Sequence, residues 1–153
     1  MSQNDSFLIS SKTTTATGRV PLSTAPKILI AEDSADSREV MQLLLETKGY
    51  QVIAADDGLH AIELALSSHP DLILLDLELP RLDGLSVTRE LRLYPVLRGV
   101  PIVIVSGHDP GRYRRAAIDA GCDEYLLKPI NFDGLQQFLD RFVHRGRAAV
   151  KSA

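Results

Sequence analysis

The chain has 153 residues, of which 44% are hydrophobic and 24% charged, with a formal net charge of -3. That is the size and balance of one globular domain, and the charge gives no reason to expect nucleic acid as a direct partner. The single cysteine, Cys122, excludes an internal disulfide and a zinc cluster. No apolar run reaches the ~20 residues of a membrane span, and the N-terminus lacks a signal-peptide core. The expectation is a cytoplasmic protein with no membrane insertion.

Residues 1–26 are rich in Ser and Thr, with one run of consecutive large apolar residues, Phe7-Leu8-Ile9, and with Pro21 and Pro26 toward their end. So little apolar surface does not offset the entropy of ordering, and a disordered N-terminal tail is expected. From Lys27 the pattern changes. Lys27-Ile28-Leu29-Ile30-Ala31 reads as a strand covered on both faces. A helical period follows, with Val40, Leu43, Leu44 and Thr47 expected on its buried face and Gly49 closing it. Tyr50–Ala55 is a second strand, and Gly58–Ser68 a second helix.

Pro70 breaks the chain ahead of Leu72-Ile73-Leu74-Leu75, the most apolar strand. A loop with Pro80 and Gly84 leads into a helix ending near Leu93. Pro101–Val105 is the fourth strand, Gly111–Ala120 a helix stopped by Gly121, Tyr125–Leu127 a fifth strand, and Phe132 to about Arg147 the last helix. Residues 148–153 are left as a C-terminal tail. Five strand–helix pairs in alternation imply right-handed βαβ crossovers, a parallel sheet and helices on both faces.

In an open parallel sheet, ligands bind beyond the carboxyl ends of the strands. The first strand ends on Glu32 and Asp33, the third on Asp76, the fourth on Ser106 and the fifth on Lys128-Pro129. Clustered carboxylates repel unless a cation intervenes, and all-oxygen ligands suit Mg²⁺, which leaves positions for phosphate oxygens. A lysine supplies compact positive charge, a serine hydroxyl can donate to a phosphoryl oxygen, and an aspartate can act as the nucleophile. The set reads as a phosphoryl-transfer site.

The segments ILIAEDS (28–34), LILLDLELPRLDG (72–84), PIVIVSG (101–107) and DEYLLKP (123–129) together resemble the receiver domains of two-component response regulators, over residues 27–147. The resemblance implies a flavodoxin-like α/β fold with strand order 2-1-3-4-5. It implies Asp76 as phosphoacceptor, with Asp33 binding Mg²⁺ directly, Glu32 largely through water, and the backbone carbonyl of Glu78 as a further ligand. Lys128 would pair with the phosphoryl group, Ser106 would hydrogen-bond it, and Tyr125 would be the aromatic that moves between outward and inward positions. The implied function is a signalling switch, not an enzyme beyond its own phosphorylation and dephosphorylation. A sensor histidine kinase or a histidine phosphotransfer protein would donate the phosphoryl group. A separate effector would read it, with the domain a monomer or a phosphorylation-dependent dimer.

Each residue also has a plainer reading. Glu32, Asp33 and Asp76 could be turn or helix caps, although Ser34 can cap the first helix and free Asp33. Asp56 and Asp57 are expected to be turn and cap residues before Gly58, and His108 to face solvent. A flavodoxin-like cofactor binder shares the topology. It needs a Ser/Thr/Gly-rich phosphate cradle where this chain has Glu32-Asp33.

Overall fold

In the computed structural model, residues 25–152 are described, with side chains described as far as Val143. Residues 1–24, and with them nearly all of the expected N-terminal tail, lie outside the described residues. Five strands form one parallel sheet: β1 (Lys27–Ala31), β2 (Gln51–Ala55), β3 (Leu72–Asp76), β4 (Ile102–Ser106) and β5 (Glu124–Leu127), in the order β2-β1-β3-β4-β5. Five helices connect and flank them: α1 (Ala35–Thr47), α2 (Gly58–Ser68), α3 (Gly84–Arg92), α4 (Pro110–Ala120) and α5 (Phe132–Ser152).

The strands are short because each has to cross only one core, and apolar because helices cover both faces. Successive side chains alternate between faces. Leu29, Ile73, Leu75, Ile102 and Ile104 point into one layer with Ala61 and Ala65 of α2, Val87 and Leu91 of α3, and Ala117 of α4. Ile28, Ile30, Leu72, Leu74, Val103 and Val105 point into the other, against Leu45 of α1 and Leu135, Phe138, Leu139 and Val143 of α5.

Local chemistry fixes the helix ends. Ser34, Asp57 and Asp83 cap α1, α2 and α3, accepting from the backbone N–H groups of Ser37, His60 and Ser86. This matches the expected capping roles of Ser34 and Asp57. Gly121 follows α4 at φ 114°, a left-handed conformation that glycine adopts without the usual side-chain clash. α5 continues to Ser152, beyond the expected end near Arg147. Ala148-Ala149-Val150-Lys151 contains neither Pro nor Gly to stop a helix.

One helix face departs from expectation. In α1, Val40 is 55% and Leu43 64% exposed, while Leu45 is fully buried with Met41 packed beside it. Thr47, also expected on the buried face, is exposed and donates its hydroxyl to the Leu43 carbonyl. Apolar residues run around more than one side of this helix, so periodicity alone did not identify the side facing the sheet.

Two consequences are open to test. Cys122 is buried, and burial first, then the neighbouring Asp123 charge, pushes its thiol up to about 11. The thiolate is the reactive species, so alkylation of the native protein at neutral pH should be slow and should accelerate on unfolding. Mass spectrometry of iodoacetamide-treated protein, with and without denaturant, measures this. Gly84 backs onto the end of β3, where an added Cβ would run into the Asp76 carbonyl oxygen and Leu77 Cα. Gly84→Ala should therefore cost about 1–3 kcal/mol of stability through overpacking, read as a lower midpoint in urea.

Candidate functional site

The site is assembled by strand register. Ala31 pairs with Leu75 and Asp76 with Val105, so the last residues of β1, β3 and β4 end at nearly the same level. The Lys128 N–H donates to the Ser106 carbonyl at 2.8 Å, which holds the residue after β5 beside the end of β4. The sheet order reverses between β1 and β3, the switch point where a parallel sheet opens a crevice. Glu32, Asp33 and Asp76 converge there, each able to present one carboxylate oxygen within 4.8 Å of the others.

Lys128 spans this acidic group. Its ammonium lies 2.8 Å from Glu32 Oε1 and 3.1 Å from Asp76 Oδ2. Burial pulls the Lys128 pKa down, but hydrogen bonds and charges from Glu32 and Asp76 outweigh that and leave it raised. Both carboxylates are largely buried, with side chains 14% and 11% exposed, so this is no ordinary solvated surface pair. The other Asp76 oxygen, Oδ1, accepts from the Glu78 N–H at 3.1 Å. Three carboxylate oxygens facing one position form a hard donor set that fits Mg²⁺.

Ser106 is 1% exposed, and its Oγ accepts from the His108 N–H at 3.0 Å. Tyr125 is buried, and its hydroxyl donates to the His108 carbonyl at 2.9 Å. The ring is thus buried and tied to the loop after β4.

Two contacts were not foreseen in the sequence. Glu78 and His108 stand two positions after Asp76 and Ser106, where the family resemblance lets side chains flank the site, but their pairing was not expected: His108, partly exposed, meets Glu78 across the mouth of the site, Nε2 to Oε2 at 2.6 Å, with its ring 5.0 Å from that of Tyr113. Arg38 donates from one guanidinium nitrogen to the Glu32 carbonyl at 2.8 Å and to the Asp33 carbonyl at 3.4 Å, bracing the acidic turn. An arginine one turn into a helix gives no sign in sequence of reaching back to the preceding loop. Asp56 pairs with His60 at 3.5 Å, in keeping with a turn role.

An apolar groove of about 550 Å³ adjoins the site, running from Asp76 and Lys128 between α1 and the loop that leads into α5. No helix among the described residues is long and apolar enough to cross a membrane.

Comparison with known proteins follows the same outline. The family described as Response regulator receiver domain matches residues 28–140. Response regulator MprA of Mycobacterium sp. (strain KMS) is 38% identical over 109 residues, covering 71% of this chain and 46% of that protein. The corresponding protein of Mycobacterium ulcerans (strain Agy99) is 39% identical over 109 residues, with the same shares covered. The chain therefore spans about half the length of the curated relatives it matches. Among solved structures, the receiver domain of sensor histidine kinase PA1611 from Pseudomonas aeruginosa PAO1 superposes with a TM-score of 0.74 at 35% identity, covering 78% of this chain and 98% of that one. That crystal structure has a magnesium ion coordinated in its active-site cleft. The chemotaxis response regulator CheY4 of Vibrio cholerae gives a TM-score of 0.73 at 27% identity, covering 78% of this chain and 99% of that one. Fold, strand-end residues and sequence similarity converge: the chain belongs to the response regulator receiver domain family.

Proposed function

We propose that this domain is a phosphorylation switch in which Asp76 accepts a phosphoryl group from a phosphohistidine donor, supplied by a sensor histidine kinase or a histidine phosphotransfer protein. One observation carries the reading: Lys128 bridges Asp76 and Glu32 at the switch point of the sheet, with Asp33 alongside. An Asp76 oxygen attacks phosphorus, the P–N bond breaks, and its electron pair leaves on the donor imidazole, which takes up a proton. The product is an acyl phosphate on Asp76.

Asp33, Asp76 and the Glu78 carbonyl would hold Mg²⁺, with Glu32 contributing through water. The ion would neutralise charge on the phosphoryl oxygens. Lys128 would release part of its bridge and pair with the new group. The Ser106 hydroxyl, which uses an oxygen lone pair toward His108 N–H, retains its proton to donate to a phosphoryl oxygen. Movement of Ser106 would shift the His108 loop that accepts from Tyr125, so charge at Asp76 biases the position of that ring. The readout would be a separate effector protein, with the domain acting as a monomer or as a phosphorylation-dependent dimer.

Treatment with acetyl phosphate and Mg²⁺ should add one phosphate, located on Asp76 by mass spectrometry. Equal labelling of an Asp76→Asn variant would sink the assignment. A second expectation concerns charge. The raised Lys128 pKa means that its bridge stabilises the fold fully below lysine's ordinary value, and that this is lost only as pH rises through the higher folded value. Stability from the bridge should be flat through neutral pH and decline in alkali. Lys128→Met removes the cation and leaves the carboxylates facing one another. Its melting temperature should fall in metal-free buffer, and saturating Mg²⁺ should return on the order of 1–3 kcal/mol, more than in the parent protein. Calorimetry across a Mg²⁺ series measures both.

A further inference from the structure

The loop between β3 and α3 contains a strained turn. Arg81 has φ 69°, one of two residues other than glycine with a positive φ among the described residues. The Leu82 N–H donates to the Pro80 carbonyl at 2.7 Å, closing a three-residue turn around Arg81. Such a turn with its central residue at positive φ is rare and strained, and a bulky side chain is out of place there. A conformation of this kind persists only where its surroundings hold it.

The holding surface is the N-terminus of α2. The Gly58 N–H donates to the same Pro80 carbonyl at 3.1 Å. Gly58 is buried, and an added Cβ would land on the Leu82 carbonyl oxygen, so backbone meets backbone with no room for a side chain. Asp57 uses both of its oxygens. Oδ1 caps α2 through the His60 N–H at 2.8 Å, and Oδ2 faces the Arg81 guanidinium at 3.5 Å. A helix cap needs only one oxygen; the second is turned onto the loop. Pro80, Arg81 and Leu82 are thus each met by Asp57 or Gly58. On the near side of the loop, the Gly84 N–H donates to the Leu77 carbonyl at 2.8 Å. Glu78 lies between these two anchored points, separated from Pro80 only by the buried Leu79. Few free backbone torsions remain to aim the Glu78 carbonyl.

We propose that Asp57 and Gly58 are positioning residues for the metal site: by clamping the Pro80–Leu82 turn they hold the Glu78 carbonyl where Mg²⁺ would take it. The clamp is read from the contacts above, while its consequence for the metal rests on the reading of Glu78 as a ligand. Asp57 is not among the carboxylates that converge on the site, Glu32, Asp33 and Asp76. Its effect therefore passes through the loop, as groups behind a metal's own ligands act, whose loss costs on the order of 10–100-fold in affinity.

The test uses the full chain, ¹⁵N-labelled. Titration with Mg²⁺ gives the affinity, and hydrogen exchange at the Leu82 amide in metal-free buffer reports the clamp. Asp57→Asn keeps a capping oxygen and loses the charge that faces Arg81. It should weaken Mg²⁺ binding roughly tenfold and quicken exchange at Leu82. In an Arg81→Gly background, where positive φ carries no strain, the same change should have far less effect on either readout. Gly58→Ala should act in the same direction as Asp57→Asn; where it unfolds the chain, the Asp57→Asn comparison decides. An Asp57→Asn effect equal in both backgrounds is long-range charge alone and overturns the proposal. So does a lower melting temperature with Mg²⁺ affinity and Leu82 exchange both unchanged, the mark of a cap and nothing more. Quickened exchange with unchanged affinity overturns the consequence for the metal and keeps the clamp. If Mg²⁺ also leaves the Leu79 amide, joined to the Glu78 carbonyl, unshifted in the parent, the reading of Glu78 as a ligand falls with it.

Discussion

Carboxylates gathered at the end of a buried parallel sheet repel one another, and the ammonium of Lys128 offsets that repulsion for the two least exposed, Glu32 and Asp76. Its contacts with Glu32 and Asp76 tie the residue after β5 to the end of β3 and the turn after β1, across the width of the sheet. The charges are mostly buried, so their attraction is little screened. The cost of desolvating Lys128 is offset by two partners. A bridge of this kind is conditional. It holds while Asp76 carries one negative charge, and additional charge or a metal ion changes its balance. A resting contact that added charge can rearrange is what a two-state switch requires.

The backbone makes that contact possible. Parallel pairing sets the ends of β1, β3 and β4 level, and the backbone bond from Lys128 to Ser106 fixes the fifth position. Gly84, packed against the Asp76 carbonyl, lets the loop after β3 fold tightly behind the site. From the same edge, hydrogen bonds lead outward through Ser106 and His108 to Tyr125. His108 takes part in four contacts: with Glu78, Ser106, Tyr125 and Tyr113. The loop after β4 is therefore linked to both the acidic pocket and the aromatic ring. A few short bonds thus run from the site to Tyr125, whose ring lies in the core.

α1 illustrates a different balance. Its sheet-facing side is supplied by Leu45 and Met41, while Val40 and Leu43 are left outward. A helix with apolar residues around more than one side has two surfaces to bury, and the domain buries one. Val40, on the second surface, lines the groove that opens beside Asp76 and Lys128.

Much of this protein was determined by its sequence. Short apolar runs alternating with helical stretches imply a parallel sheet, because only helices on both faces bury such strands. Glu32, Asp33, Asp76, Ser106 and Lys128 were legible as a group because each directly ends or follows a strand, and strand ends in such a sheet share one edge. Caps such as Ser34 and Asp57 were legible because their chemistry is local. What only the tertiary structure decided are contacts with no local signature. The outward turn of Val40 and Leu43 depends on how α1 is rotated against the sheet. The reach of Arg38 to the Glu32 carbonyl, the pairing of Glu78 with His108, and the bond from the Tyr125 hydroxyl to the His108 carbonyl each join residues brought close by the packing of separate loops, and no spacing along the chain encodes that proximity.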